Sequence, residues 1–426
     1  MKRYDTTPFD TQKLPPKQNL FFLPFFWLFS LFYVGPGSLK IHKVRMKGVK
    51  PPYLVLATHQ SFLDFPVSQL SLFPHRINYV SELEGFEAYG EWFYRQMGCL
   101  GTRKFICDLN LISNIRRVMN RGGILVLYPE ARYANVGTNS QLPESVSKLI
   151  KILRVPVVTL NMKGNYLRSP IWNLKRRHGV ALDATVTLLL TVDECADLSA
   201  KEIQNRVQKA LSYDEYDYQK NSRMKIADPK RAEGLEQPLY YCPVCGVRFQ
   251  MASSGSRLCC NACKAAWDMD EYGVLSLIPD SAPGKVNPFS RIPDWYEWER
   301  LAVKEEIDSG AYSLDIKVRI EALPNAKNFI PLGEGRLKHG PGGFDLTLRE
   351  YESAGQTTLH FSTKSMTSIH TEYDYRGKGP CVTLSTHTNT YFLFPVEEGF
   401  NATRVQFATE YFYEVYKKSN CCKEYG

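Results

Sequence analysis

Two patterns in this 426-residue sequence have residue types and spacings that chemistry could use. The first is His59-Gln60-Ser61-Phe62-Leu63-Asp64, which starts where the apolar run at residues 53–58 ends. In open α/β sheets, ligands bind beyond the carboxyl ends of strands. A strand-to-helix turn there can fold Asp64 back onto His59, so that the carboxylate accepts from one ring nitrogen and fixes the tautomer. The other nitrogen is then left to take a proton, as in the acid–base half of a hydrolase triad. Alone the pattern is weak. The chain has eight histidines, and with roughly a 5% chance of Asp at that offset for each, about 0.4 accidental matches arise. The alternative is a helix-capping aspartate beside an already satisfied histidine.

The second pattern is Cys242-Pro-Val-Cys245 and Cys260-Asn-Ala-Cys263, with fourteen residues between the two pairs. Each knuckle puts two thiolates on one turn, and two knuckles complete a tetrahedron, so the segment resembles a zinc ribbon holding one structural Zn. Iron and a redox dithiol are the rival readings. Cys259 is out of register with the pairs. About forty residues cannot hold a core without such a staple. Arg248, Arg257 and Lys264 are opposed by Asp268, Asp270 and Glu271, which favours a structural clip or partner surface over nucleic-acid contact. The eleven cysteines are odd in number and otherwise scattered, which argues for a reducing compartment rather than a disulfide framework.

The composition, 44% hydrophobic and 23% charged, excludes collagen-like, low-complexity and wholly disordered chains. The formal net charge is +9, yet residues 1–50 alone hold nine Lys/Arg against two acids. The remainder is nearly neutral, so no nucleic-acid partner is expected. The basic residues bracket an aromatic run at 20–34, LFFLPFFWLFSLFYV. Its fifteen residues fall short of the ~20 of a spanning helix, and Pro24 would interrupt a helix interior. Aromatic rings favour the headgroup level and flanking Lys/Arg favour anionic lipid. Residues 1–38 therefore read as a membrane-associating segment, peripheral or monotopic on the cytoplasmic face. A buried core helix and a spanning helix are the alternatives. Nothing in the run has the form of a cleaved signal peptide.

These features need elements to hold them. Apolar runs at 53–58, 123–128, 155–160 and 181–192 alternate with helix-like stretches at 65–72, 109–120, 143–153 and 199–212, the last with Ser199 as N-cap. Buried strands alternating with helices predict an α/β domain with a mixed sheet flanked by helices, over residues 39–215. Residues 216–238 read as a linker and 239–280 as the zinc ribbon. A helix at 294–308 then precedes five runs of period-two alternation. An amphipathic helix at 402–418, with Val405, Ala408, Phe412 and Val415 at helical spacing, closes the chain. Residues 290–420 thus predict an antiparallel, β-barrel-like domain with a terminal helix, resembling a pleckstrin-homology (PH-like) domain. Such a domain would dock lipid headgroups or a protein partner.

The His59 pattern has company. Gly98–Arg103 (GCLGTR) places an arginine in a glycine-rich turn. Leu127–Arg132 (LYPEAR) puts Glu130 and Arg132 past a strand, and Val155-Pro156-Val157-Val158 opens another. Four blocks in this order resemble the glycerolipid acyltransferases, the lysophosphatidic acid acyltransferase family, over about residues 40–210. The resemblance implies transfer of a fatty acyl group from acyl-CoA or acyl carrier protein to a hydroxyl of a lysophospholipid acceptor, with no catalytic cofactor. His59 would be the general base and Asp64 its orienter. Ser61, Arg103, Glu130 and Arg132 would bind substrate, the arginines taking a phosphate. The third block departs from the family's usual Pro-Glu-Gly-Thr-Arg: here it is Pro129-Glu130-Ala131-Arg132, with the arginine one residue early. That departure leaves open a different lysolipid or an amine as acceptor. A non-catalytic lipid- or protein-binding scaffold with a degenerate domain is the other alternative.

Overall fold

The computed structural model describes residues 4–173, 177–349 and 356–421. Lys2 and Arg3, counted in the basic amino terminus, lie outside the described residues. The chain divides into two compact units, one of residues 9–102 and 107–226, the other of residues 1–8, 103–106 and 227–426.

The first unit runs α1 (Leu23–Val34), β1 (Leu39–Val44), β2 (Tyr53–Ala57), α2 (Asp64–Ser71), β3 (Ile77–Glu82), α3 (Leu83–Tyr89), α4 (Glu91–Gln96), β4 (Cys99–Thr102), α5 (Leu109–Asn120) and β5 (Ile124–Leu127). It continues with α6 (Ser145–Leu153), β6 (Val157–Lys163), α7 (Asn165–Arg168), β7 (Leu182–Leu190), α8 (Val192–Asp197), α9 (Ala200–Ala210) and α10 (Glu215–Asn221). Its seven strands form one sheet in the order β1-β7-β6-β2-β5-β3-β4. Only β6 and β7 pair antiparallel, so the sheet is mixed, as expected. All five residues of β2 are buried, the signature of a strand covered on both faces. Leu54 and Leu56 of β2 pack with Ile115 and Val118 of α5, Ile150 of α6, and Ile203 and Val207 of α9. Ser199 caps α9 through a capping box with Glu202. β2 thus sits mid-sheet and delivers its carboxyl end, with His59, to the rim.

Two local expectations change. Pro24 does not interrupt a helix: α1 begins at Leu23, so the proline lies in its first turn, where a missing N–H is harmless. α1 buries Leu23, Phe26, Ser30 and Val34 and leaves Phe25, Leu28, Phe29 and Phe32 exposed. Among the described residues no helix is long and apolar enough to cross a membrane. The stretch read as a linker opens inside α10, whose Glu215, Tyr216 and Gln219 are buried. Its buried face is polar and only two turns long, so no apolar stripe announced it.

The second unit holds a four-stranded antiparallel sheet, β8 (Met251–Ser254), β9 (Arg257–Cys260), β10 (Ala266–Met269) and β11 (Leu275–Leu277), followed by α11 (Ile292–Asp308). Then come β12 (Leu314–Ala322), β13 (Ile330–Gly340), β14 (Gly343–Arg349), β15 (Gln356–Ser362), β16 (His370–Glu372), β17 (Cys381–Ser385), β18 (Thr390–Pro395) and α12 (Ala402–Cys421). These seven strands lie in the order β15-β14-β13-β12-β18-β17-β16. β12 alternates buried and exposed residues along most of its length, as the period-two pattern requires, and a bulge at Ile320/Glu321 helps bend it. The sheet is a curled half-barrel with β15 and β16 as its edges, a more open form of the barrel-like domain expected from the sequence. On α12, Val405, Ala408 and Phe412 are buried, whereas Val415 faces solvent.

Candidate active site

β2 ends at Ala57 and α2 starts at Asp64, so the six residues between form a tight turn at the sheet's rim. Within it, His59 Nδ1 lies 3.0 Å from Asp64 Oδ2. The same oxygen accepts from the backbone N–H of Gln60 at 2.5 Å and of Ser61 at 3.2 Å. The other oxygen, Oδ1, accepts from Asn165 Nδ2 at 2.7 Å. Asp64 is 1% exposed, so its two oxygens are satisfied by these protein donors rather than by bulk water. An acceptor at Nδ1 places the ring proton there and leaves Nε2 as the basic nitrogen. No hydrogen bond to Nε2 occurs among the described residues.

The loop after β5 closes over this turn. The ring of Tyr128 stacks on His59 at 4.4 Å and that of Tyr133 lies at 4.5 Å. The N–H of Ala134 donates to the His59 carbonyl at 3.0 Å. Glu130 accepts from the His59 N–H at 3.4 Å, the Ser140 N–H at 2.8 Å and the Tyr213 hydroxyl at 3.3 Å. Burial pushes its carboxyl up to about 7, against those hydrogen bonds and the nearby charge of Arg132. Arg132 is itself buried beside it. Ala131, between them, has φ +56°, a left-handed conformation that glycine adopts without cost.

His59, Asp64, Ser61, Glu130 and Arg132 therefore converge at one rim. Ser61 is taken up in the turn itself, donating to the Asn165 carbonyl at 3.2 Å and accepting from Leu63 N–H at 3.3 Å. Arg103 directly follows the carboxyl end of β4. It belongs to the second unit, where its guanidinium donates to the carbonyls of Pro324 at 2.5 Å, Thr388 at 3.0 Å and His387 at 3.4 Å. Several groups at the rim escaped the sequence reading: Tyr128, Tyr133, Asn165, Tyr213 and Glu215. The two tyrosines flank the third block and could have been marked from that adjacency. The other three come from segments without a motif. Burial pushes the Glu215 carboxyl up to about 8, and it accepts from Gly164 N–H at 2.7 Å and Gln60 Nε2 at 3.2 Å.

A second cluster stands in the other unit. The Sγ atoms of Cys242, Cys245, Cys260 and Cys263 all lie within 4.8 Å of one another. Two pairs, Cys242/Cys263 and Cys245/Cys260, are 3.8 Å apart. Tetrahedral zinc with Zn–S bonds of about 2.3 Å needs edges of about 3.8 Å, so the donor set fits that metal. Both knuckles are built alike. Gly246 and Lys264 are left-handed, with φ +70° and +66°, and their N–H groups donate to the Cys242 and Cys260 carbonyls. Cys259 instead turns its thiol to the Ala252 carbonyl. Trp267 of β10 packs on Trp295 of α11, and Glu299 of α11 accepts from the Tyr241 N–H at 2.8 Å, tying the cysteine-bearing segment to that helix.

Three comparisons with known proteins bear on these sites. The family model described as Acyltransferase matches residues 38–163. Among solved structures, the 1-acyl-sn-glycerophosphate (LPA) acyltransferase PlsC from Thermotoga maritima is similar, with 14% identity and a TM-score of 0.35 over 44% of this chain and 76% of that one. A search of curated proteins returns no significant match. The family match begins just before β1 and ends with β6, enclosing the turn with His59 and Asp64, the Glu130–Arg132 loop and the strands that present them. Over residues 38–163 this chain is thus similar to the acyltransferase family.

Proposed function

We propose that the protein transfers a fatty acyl group from a thioester, acyl-CoA or acyl carrier protein, to the free hydroxyl of a lysophosphatidate-like acceptor at a membrane surface. The observation that carries this is the His59–Asp64 pair, held at 3.0 Å with Nε2 as the basic nitrogen. Nε2 takes the hydroxyl proton as the oxygen attacks the thioester carbonyl. The tetrahedral intermediate then expels the thiolate, which receives the proton back from the imidazolium. No covalent acyl-enzyme is needed. General-base catalysis of this kind supplies roughly 10²–10⁴-fold, so orientation of the two substrates supplies much of the rest.

Arg132 is assigned to the acceptor phosphate, with Glu130 orienting it. Arg103 is the second cationic candidate and would have to exchange its three carbonyl partners for the phosphate. The exposed rings of α1 support association with lipid, and Tyr33 of that helix touches Phe62 of the catalytic turn at 5.7 Å. The exposed aromatic face thus continues up to the rim where an acyl chain would arrive. The four cysteines would hold one structural zinc. The strand order of the half-barrel and its closing helix support a PH-like docking module. The early position of Arg132 favours, as a second reading, another lysolipid or an amine as acceptor.

His59→Ala should abolish acyl transfer while circular dichroism and binding to anionic vesicles stay unchanged. Retained turnover would end the general-base assignment. A panel of acceptors, each tried with acyl-CoA and with acyl carrier protein, separates the two readings. Phe29→Glu with Phe32→Glu should release the protein from vesicles, and undiminished binding would refute the membrane role of α1.

A further inference from the structure

We propose that Asn165 is a positioning residue of acyl transfer, the third member of a His59–Asp64–Asn165 chain of hydrogen bonds, held on its turn by Glu215. The proposal rests on the acyltransferase reading above. The residues it adds, Asn165 and Glu215, lie outside the segment matched by the family, which ends at residue 163.

Asp64 is held through both of its carboxylate oxygens. Its Oδ2 faces His59 and is already claimed by two backbone donors. The opposite oxygen, Oδ1, is held by Asn165 Nδ2 at 2.7 Å, which further restrains rotation of the carboxylate. Asn165 is completely buried. A buried amide donor on a carboxylate is a charge-assisted bond, about twice as strong as a neutral one.

The turn carrying Asn165 is itself over-determined. Gly164 has φ +86°, and a Cβ there would meet the Ala181 carbonyl at 2.3 Å. Its N–H is received by Glu215 at 2.7 Å. Glu215 also receives Gln60 Nε2, and Gln60 Oε1 receives the N–H of Tyr166. The residue after His59 and the residues on either side of Asn165 are therefore cross-linked through two side chains, Glu215 and Gln60. On the far side of α7, Arg168 donates to the carbonyls of Val34 and Val180. α7 therefore grips the catalytic carboxylate at one end and the last residue of α1 at the other. A short helix with so many obligations is a rigid support, the type of environment that holds a catalytic geometry within about 0.5 Å.

The experiment compares Asn165→Ala and Asn165→Asp with wild type, and with His59→Ala as the inactive reference. Each is assayed for kcat and KM across pH, and each is checked by thermal melting. For Asn165→Ala, loss of one hydrogen bond to a charged group should lower kcat by about 10- to 100-fold with KM nearly unchanged. In Asn165→Asp the new carboxyl can donate to Asp64 only while protonated. Once ionised it adds a negative charge that favours the imidazolium, so the acid limb of the profile should move to higher pH by about one unit. The other groups facing the dyad are Tyr128, Glu130, Arg132, Tyr133, Tyr213 and Glu215, none of which either variant removes. Wild-type kcat and an unmoved pH profile in both variants would overturn the proposal. So would losses that merely track a lowered melting temperature. An inactive wild type would instead refute the acyltransferase reading, so the two failures are distinguishable.

Discussion

The cysteine cluster and the His59 rim are both sites built from side chains at short range, yet they draw on the chain in opposite ways. The cluster takes all four donors from residues 242–263, on two turns of the same local design. The rim takes its parts from the turn after β2, the start of α2, the loop after β5, and the starts of α7 and α10, and one of its bonds joins residues 155 positions apart. A metal site can be local because the ion supplies the cohesion. A proton-transfer site has no such centre, and its precision has to come from packing and hydrogen bonds across the domain.

That contrast can be broken at its strongest point first. Cys242→Ser with Cys263→Ser should remove one equivalent of zinc by metal analysis. Residues 240–277 should then lose their protection from hydrogen exchange, because binding in such small sites supplies folding energy on the order of 10 kcal/mol. Unchanged metal content would mean that the cluster is not held by an ion. A smaller effect is expected at the rim: Arg132→Ala should lower kcat/KM for a phosphorylated acceptor by about 10- to 100-fold, the worth of a charge-assisted bond. An acceptor lacking the phosphate should be affected much less, and equal losses on both would take Arg132 out of the phosphate site.

The next test concerns titration. The Glu215 carboxyl keeps its proton up to about pH 8 in the folded chain, whereas it ionises near its ordinary value once unfolded. Between those limits unfolding releases a proton, so stability falls as pH rises through the window. Glu130 acts in the same direction up to about 7. Glu215→Gln cannot titrate, and its melting temperature should decline less steeply from pH 5 to 8.5 than that of wild type. Parallel slopes would show that Glu215 does not carry this linkage. The smallest effect is at Ala131. Ala131→Gly relieves a φ of +56° and should stabilise by about 1 kcal/mol, seen as a rise of a few degrees in melting temperature. A destabilised variant would show that the alanine methyl packs better than its backbone strain costs.

How much was legible follows the same division. β2, β5 and β6 were readable as apolar runs, β7 because apolar residues alternate along it before three leucines, and α5, α6 and α9 because each shows one apolar face. β1 was not readable: its strand LKIHKV is an edge with five exposed residues. β4 is only four residues long. α10 was not readable because what it buries is polar. In the candidate site, His59, Asp64, Glu130 and Arg132 were found through blocks of adjacent residues. Arg103 stood in such a block too, but its guanidinium is taken by three carbonyls of the second unit, which no local pattern reveals.

By itself the sequence determined the histidine–aspartate turn, the two cysteine knuckles, the alternation of strands with helices, and the later change to period-two strands. All of these depend on neighbours within a few residues, where spacing and geometry are nearly the same thing. Tertiary structure alone decided which oxygen of Asp64 serves His59 and which serves Asn165, that Glu215 pins Gln60 and Gly164, and that Tyr128 and Tyr133 enclose the imidazole. Those contacts arise where strands from distant parts of the chain are laid side by side. Their order in the sheet is set by burying the largest apolar area, not by anything written next to the residues that meet there.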